Sequence, residues 1–231
     1  MTGSETGAAI LIWVNAATGG LVSICTTEAR DQTGVRKVRH LIVIAHPRRR
    51  SFNMQLARAY ADELSRRGHE IEVRDLYALE FDPVLSNRDI AAALHGRAPR
   101  DVRREQAAIR AAQVLTFIAP MWWSSFPAMM KGYIDRVFSQ GFAYSVKGGR
   151  YKALLTGKKG VIITTTAASA EELAAGGTRR AAKAIQDVGV MEFCGVEMLR
   201  HLYFNSVVPG MPEAAAKRNV ELVRGFVRRN F

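Results

Sequence analysis

From Val38 onward, short continuous apolar runs alternate with segments whose apolar residues recur every three or four positions. Leu41-Ile42-Val43-Ile44-Ala45 reads as a strand covered on both faces. Leu56, Tyr60 and Leu64 follow at helical spacing, and Gly68 after Arg66-Arg67 marks the helix end. Further strands are predicted at Glu70–Val73, Val114–Ala119, Gly160–Thr164 and within Val196–Phe204. Helical stretches are expected around 88–94, around 102–112, after Pro127 (placed in the helix's first turn), roughly over 178–187, and after Pro212 toward Arg228. Alternation of this kind predicts an α/β fold: a five-stranded parallel sheet with helices on both faces, because right-handed crossovers leave few other ways to bury each strand.

Residues 1–37 show no such periodicity. The first Lys or Arg is Arg30, so the apolar stretch Ala8–Val14 lacks the basic start of a secretory signal. The segment is expected to be a flexible extension or the product of a mis-set start codon. A hairpin of Ala8–Val14 and Leu21–Cys25 around Thr18-Gly19-Gly20 is the alternative. The domain is placed at 38–231.

Composition narrows the class. The chain has 231 residues, of which 48% are apolar and 23% charged, enough for one sizeable core. No run approaches the roughly 18 apolar residues a membrane-spanning helix needs. The two cysteines, Cys25 and Cys194, stand far apart, so no disulfide framework or Cys-based metal site is readable, and a reducing cytoplasm is expected. The net charge of +12 favours phosphate-bearing ligands. Arginine pairs at 66–67, 103–104, 179–180 and 228–229 are scattered over several helices, which argues against a nucleic-acid face.

In an open parallel sheet, ligands bind beyond the carboxyl ends of the strands, so loops 46–53, 120–126 and 165–177 carry the candidate chemistry. The first, His46-Pro47-Arg48-Arg49-Arg50-Ser51-Phe52-Asn53, enters a helix whose free N–H groups favour an anion. Ser51 or Asn53 can cap that helix, and a cap beside a solvated arginine run is the plain alternative. Without a glycine, the loop is neither a dinucleotide G-x-G-x-x-G turn nor a GK[ST] phosphate loop. The second loop, Pro120-Met121-Trp122-Trp123-Ser124-Ser125-Phe126, sets two indoles side by side. Neighbours in extended chain point opposite ways, so at least one is expected to line a crevice and stack on a flat ligand. Thr164-Thr165-Thr166-Ala167-Ala168-Ser169 offers small backbone and hydroxyl donors, as an ordinary turn also would. An anion site, a flat aromatic wall and small donors together suit a flavin nucleotide. No hydrolytic constellation or metal cluster stands out, and His40, His69, His95 and His201 are expected to be structural.

Leu41–Asn53 (LIVIAHPRRRSFN), Asp75–Leu85 (DLYALEFDPVL), Pro120–Phe138 (PMWWSSFPAMMKGYIDRVF), Gly141–Tyr144 (GFAY) and Phe193-Cys194-Gly195 resemble the flavodoxin-like NAD(P)H:quinone reductases over residues 38–230. The resemblance implies a flavodoxin-like three-layer sandwich. It also implies FAD, with FMN as the alternative, NAD(P)H as co-substrate, a quinone-like acceptor, and a homodimer. His46, Ser51, Phe52 and Asn53 match the stretch around the flavin phosphate and ribityl chain. Pro120, Met121, Trp122, Trp123 and Ser124 match the stretch along the ring, with Thr165, Thr166 and Ala167 at its far edge. Trp123, Phe126 and Tyr144 are the expected substrate contacts, Tyr144 reaching across the dimer interface while Val146 stands at the second tyrosine position. Ala167-Ala168 replaces the family's usual Gly-Gly, so two β-carbons stand where backbone normally approaches the flavin. The loop 167–180 also lacks the Tyr and His that some animal members use to manage flavin charge, so that relay is expected to be either absent or replaced, with Arg179 or Arg180 as the candidates. No acid or base side chain is required for the implied ping-pong transfer. The alternative function is a flavin-binding accessory subunit of a potassium-efflux transporter, peripherally associated with the membrane.

Overall fold

A computed structural model describes residues 37–231 and, ahead of them, Ile12–Trp13. The strands are β1 (Ile12–Trp13), β2 (Arg39–Ile44), β3 (Glu70–Asp75), β4 (Val114–Pro120), β5 (Tyr144–Lys147), β6 (Arg150–Ala153), β7 (Lys159–Thr165) and β8 (Glu197–Phe204). The helices are α1 (Phe52–Arg66), α2 (Asn87–Leu94), α3 (Arg100–Ala111), α4 (Ala128–Val137), α5 (Ala170–Ala175), α6 (Thr178–Lys183) and α7 (Glu213–Asn230). Strands β3-β2-β4-β7-β8 form the expected five-stranded parallel sheet, and β1 adds two residues in parallel register at the β3 edge. The rest of 1–37, including the proposed hairpin partner Leu21–Cys25, lies outside the described residues.

Alternation within each strand divides the core into two layers. Leu41, Val43, Leu115, Phe117 and Ile162 face Met130, Tyr133 and Ile134 of α4 and Ile109 of α3. Ile42, Ile44, Ile118, Val161 and Ile163 face Leu56, Tyr60 and Leu64 of α1 and Val223 and Phe226 of α7. These strands are buried on both sides, which is why they read as unbroken apolar runs. The chain turns back between β2 and β4, its neighbours in the sheet lying to opposite sides, and the loops after these two strands flank the resulting crevice.

A polar anchor and a close helix approach hold the long connection after β3. Arg136 of α4 is buried and donates to Asp89 Oδ1 of α2 (2.9 and 3.1 Å), to Asp101 Oδ2 of α3 (2.7 Å) and to the carbonyl of Asp82 (2.7 Å). Gly132 lets α4 pass over the same connection: an added Cβ would fall 2.1 Å from the Pro83 carbonyl oxygen.

Three local expectations need correction. Pro127 stands at the N-cap of α4, ahead of the first turn. The helix expected over 178–187 ends at Lys183 and widens into a π-helical stretch, Ala184–Met191, which buries Gln186 and Asp187. The antiparallel hairpin β5–β6 is an addition, closed by Gly148 and Gly149 at φ 55° and 71°, values that favour glycine. No helix among the described residues is long and apolar enough to cross a membrane.

Candidate functional site

The first loop leaves β2 at Ala45, whose N–H donates to the Ile118 carbonyl of β4 at 3.1 Å. The N–H of Arg48 donates to His46 Nδ1 at 3.0 Å. Nδ1 therefore accepts, which puts the proton of the neutral ring on Nε2, and burial lowers the His46 pKa. Ser51 is the N-cap of α1, its hydroxyl accepting from Met54 N–H at 3.3 Å, so of the two expected caps it is Ser51 that serves. The first turn of α1 holds no acid, and Arg48, Arg49 and Arg50 are exposed around it, leaving a positive helix end. Phe52 packs partly into the α1/α7 layer. Asn53, nearly fully buried, donates from Nδ2 to Thr165 Oγ1 at 2.8 Å.

The second loop continues β4 through buried Pro120 into a two-residue turn. Met121 N–H donates to the Thr165 carbonyl at 2.7 Å, and Trp122 and Ser125 exchange both backbone hydrogen bonds at 3.1 Å. Trp123 and Ser124 between them have φ of 50° and 60°, a type I′ arrangement that L-residues adopt only at a cost. The turn lifts the Trp123 side chain into solvent at 97% exposure, while Trp122 leans toward His46 with ring centroids 6.0 Å apart. Neither indole is buried in the core. Phe126 is buried against Phe117, 6.3 Å between centroids, and supports the turn from the core.

In the third loop, Thr165 is held by Asn53 and Met121, and Thr166 N–H donates to the Phe204 carbonyl at 2.9 Å. Thr166 Oγ1 accepts from Ala168 N–H at 3.2 Å, and Ser169 caps α5 through a capping box with Glu172. Ala167 is exposed beside these donors. All three loops thus converge on one rim: His46 with Trp122, Asn53 with Thr165, and Met121 with Thr165. A flavin suits this rim on one internal observation. Asn53 Oδ1 is buried without a hydrogen-bond partner among the described residues, an acceptor left open where a buried amide carbonyl is normally satisfied.

Tyr144 lies apart from the rim. Its aromatic neighbours are Phe193 (5.5 Å) and Tyr151 (6.3 Å), and Tyr151 and Phe193 approach to 4.4 Å. Tyr151 escaped the sequence reading; the Gly148-Gly149 turn that folds it back beside Tyr144 was its available signal. Also unforeseen is a polar cluster on β8. His201 Nδ1 meets Asp187 Oδ1 at 2.7 Å, His201 Nε2 meets Thr164 Oγ1 at 2.8 Å, and the Tyr203 ring stacks on His201 at 3.9 Å. Burial is the main cause holding the His201 pKa down, with Asp187 opposing it. His201 and Tyr203 alternate on one strand face, and the π-helical stretch is what brings Asp187 to them.

A doubly wound parallel sheet with three loops converging at its switch point defines an α/β protein of the flavodoxin type. The family model described as "Flavodoxin-like fold" matches residues 38–224. The chain is 32% identical over 169 residues to an "Uncharacterized NAD(P)H oxidoreductase" of Haemophilus influenzae, covering 73% of this chain and 84% of that protein. It is 38% identical over 135 residues to the "Ribosyldihydronicotinamide dehydrogenase [quinone]" of Pongo abelii, covering 51% of this chain and 58% of that protein, so it spans little more than half that relative's length. Among solved structures, the NAD(P)H:quinone oxidoreductase from Methanothermobacter marburgensis superposes with a TM-score of 0.75 at 29% identity, covering 84% of this chain and 96% of that one. The chain belongs to the flavodoxin-like NAD(P)H:quinone oxidoreductase family. The transporter-accessory alternative gains no support from these relatives.

Proposed function

We propose that the protein is a flavin-dependent NAD(P)H dehydrogenase that passes two electrons to a quinone or similar acceptor. A bound flavin would supply the redox chemistry, accepting a hydride equivalent from the nicotinamide and giving up two electrons to the acceptor. The chain's own residues bind and orient. The acid-free N-terminus of α1, with Ser51 and the His46 Nε2–H, takes the phosphate, and Asn53 Oδ1 accepts from the flavin's chain. Pro120 to Ser124 would line the flavin ring, and the Thr165 and Thr166 hydroxyls with the Ala167 N–H would serve its polar edge, where negative charge accumulates on reduction. Trp123 supplies a flat face for a nicotinamide and an acceptor to occupy in turn.

One observation carries this reading: the loop that meets His46 through Trp122 and Thr165 through Met121 makes a left-handed turn that holds the Trp123 indole 97% exposed. Strain of about 1–3 kcal/mol per residue is maintained for a side chain that contributes nothing to the core. The Tyr144, Tyr151 and Phe193 cluster supports a homodimer in which it meets the partner's rim. The buried thiol of Cys194, pushed up to about 11 by burial, suits the reducing cytoplasm we assign to the protein.

The test is to purify the protein, record its visible spectrum and identify the released flavin by mass, with FAD expected and FMN as the alternative. Bleaching of the flavin band by NAD(P)H and its recovery on adding a quinone are the expected results. A colourless protein that neither flavin reconstitutes would sink the proposal.

A further inference from the structure

Across the sheet from the phosphate-directed start of α1 lies a second positive site. A cavity of about 510 Å³ opens beside α5 and α6, with Leu173, Ala175 and Gly177 among its walls and Arg179, Arg180 and Lys183 as its charged lining. Arg179 and Lys183 are one helical turn apart, as are Arg180 and Lys183, so the three cations crowd one patch. Among the described residues none of them ion-pairs with a carboxylate. The nearby acids are committed or turned out: Asp187 is bonded to His201, Glu172 caps Ser169, and Glu171 is exposed. Arg179 is held by stacking over the Tyr203 ring, 4.9 Å from its centroid, a contact that fixes the guanidinium without neutralising it.

The cavity's place in the fold says which anion it suits. Tyr203 pairs with Thr164 in the sheet, one strand spacing away, and Thr164 directly precedes the Thr165-Thr166 edge of the rim. His201 and Tyr203 pair with Ile162 and Thr164, and Ile162 faces α3 and α4; α1 lies on the opposite layer. With the flavin phosphate assigned to the start of α1, a second anion site on the other layer, one strand over from Thr164, is left for a different ligand.

We propose that Arg179, Arg180 and Lys183 form the phosphate subsite for the hydride donor. They would select phosphorylated dihydronicotinamide dinucleotides over the phosphate-free dihydronicotinamide riboside for which one relative is named. This rests on the oxidoreductase reading above. Guanidinium and ammonium groups bind phosphate oxygens through charge-assisted hydrogen bonds, and the exposed Ala174 and Ala175 can receive the adenosine beside them.

The test compares the full-length holoprotein with Arg180→Ala/Lys183→Ala and with the charge-preserving Arg180→Lys/Lys183→Arg. Steady-state KM is measured for NADPH, NADH and dihydronicotinamide riboside, and 2′,5′-ADP affinity is measured by calorimetry at two salt concentrations. In the alanine variant, the ratio of dinucleotide KM to riboside KM is expected to rise on the order of ten-fold. 2′,5′-ADP binding should weaken similarly and lose its salt dependence. The charge-preserving variant should keep the wild-type ratio. A rise confined to NADPH assigns the site to the 2′-phosphate, and an equal rise for NADH assigns it to the pyrophosphate. An unchanged ratio with unchanged 2′,5′-ADP affinity overturns the proposal, as does an equal loss with all three donors. A wild-type protein that oxidises none of the donors yet binds 2′,5′-ADP through these residues would refute the oxidoreductase reading and leave the anion site standing.

Discussion

The Asn53 side-chain amide, on the first turn of α1, donates to the Thr165 hydroxyl at the end of β7 across 2.8 Å, tying together two loops 112 residues apart in the chain. The same amide holds its other atom, Oδ1, buried and open. Asn53→Ala therefore removes a buried bridge and an acceptor at once. A loss of about 1–2 kcal/mol in the urea unfolding of the apoprotein is expected, with flavin affinity reduced by roughly ten-fold in a fluorescence titration. Wild-type flavin affinity in this variant would remove Asn53 from the cofactor site.

Trp123 separates stability from function. Its indole touches little and its backbone is left-handed, so Trp123→Gly is expected to hold stability or raise it by up to about 1 kcal/mol. The same change should slow flavin reduction by NAD(P)H in a stopped-flow experiment. Unaltered reduction kinetics would show that the exposed indole serves something else.

Arg74 and Glu105 form a fully buried ion pair between β3 and α3, with Arg74 Nε donating to Glu105 Oε2 at 2.9 Å. Glu105→Gln leaves the buried guanidinium with only the partly exposed Glu72 carboxylate, 3.5 Å away, and a loss of stability of up to about 3–5 kcal/mol is expected. Replacing both, as Arg74→Met/Glu105→Leu, should cost less than the single change. A double variant less stable than Glu105→Gln would contradict the charge-burial argument.

Acid sensitivity should trace to His40, which sits wholly buried among His69, Tyr60 and the ring of Phe231, neither ring nitrogen having a partner among the described residues. Burial, reinforced by His69, lowers its pKa from 6.5 to about 3. The unfolded chain thus takes up a proton below about pH 6.5 that the folded chain refuses until about pH 3. Stability from this group is complete above that window and falls as pH drops through it, by up to about 1.4 kcal/mol per pH unit. His69, also lowered by burial, acts in the same direction. Urea midpoints between pH 8 and pH 4 should decline more steeply for the wild type than for His40→Leu; parallel curves would assign the slope to other groups.

Periodicity alone placed the five parallel strands, because strands buried on both faces must be apolar throughout and the helices between them on one side only. It missed the β5–β6 hairpin, whose strands Tyr144–Lys147 and Arg150–Ala153 alternate over only four residues each and bury little, and the π-helical stretch, which differs from an α-helix in hydrogen-bond register and not in composition. Within the rim, the residue types at 46–53, 120–124 and 165–167 were legible as anion, aromatic and small-donor loops. The inward packing of Phe126 on Phe117 was not legible, since nothing in a run of aromatics says which one turns inward.

What the sequence determined by itself is therefore the layered architecture, the rim loops and the family, since each depends on short-range pattern. Tertiary structure decided which atoms meet: Asn53 with Thr165, Arg179 over Tyr203, Asp187 against His201, and the left-handed turn that lifts Trp123. Those contacts join distant segments and depend on strand pairing and helix docking, which fix direction as well as distance, and local sequence preferences specify neither.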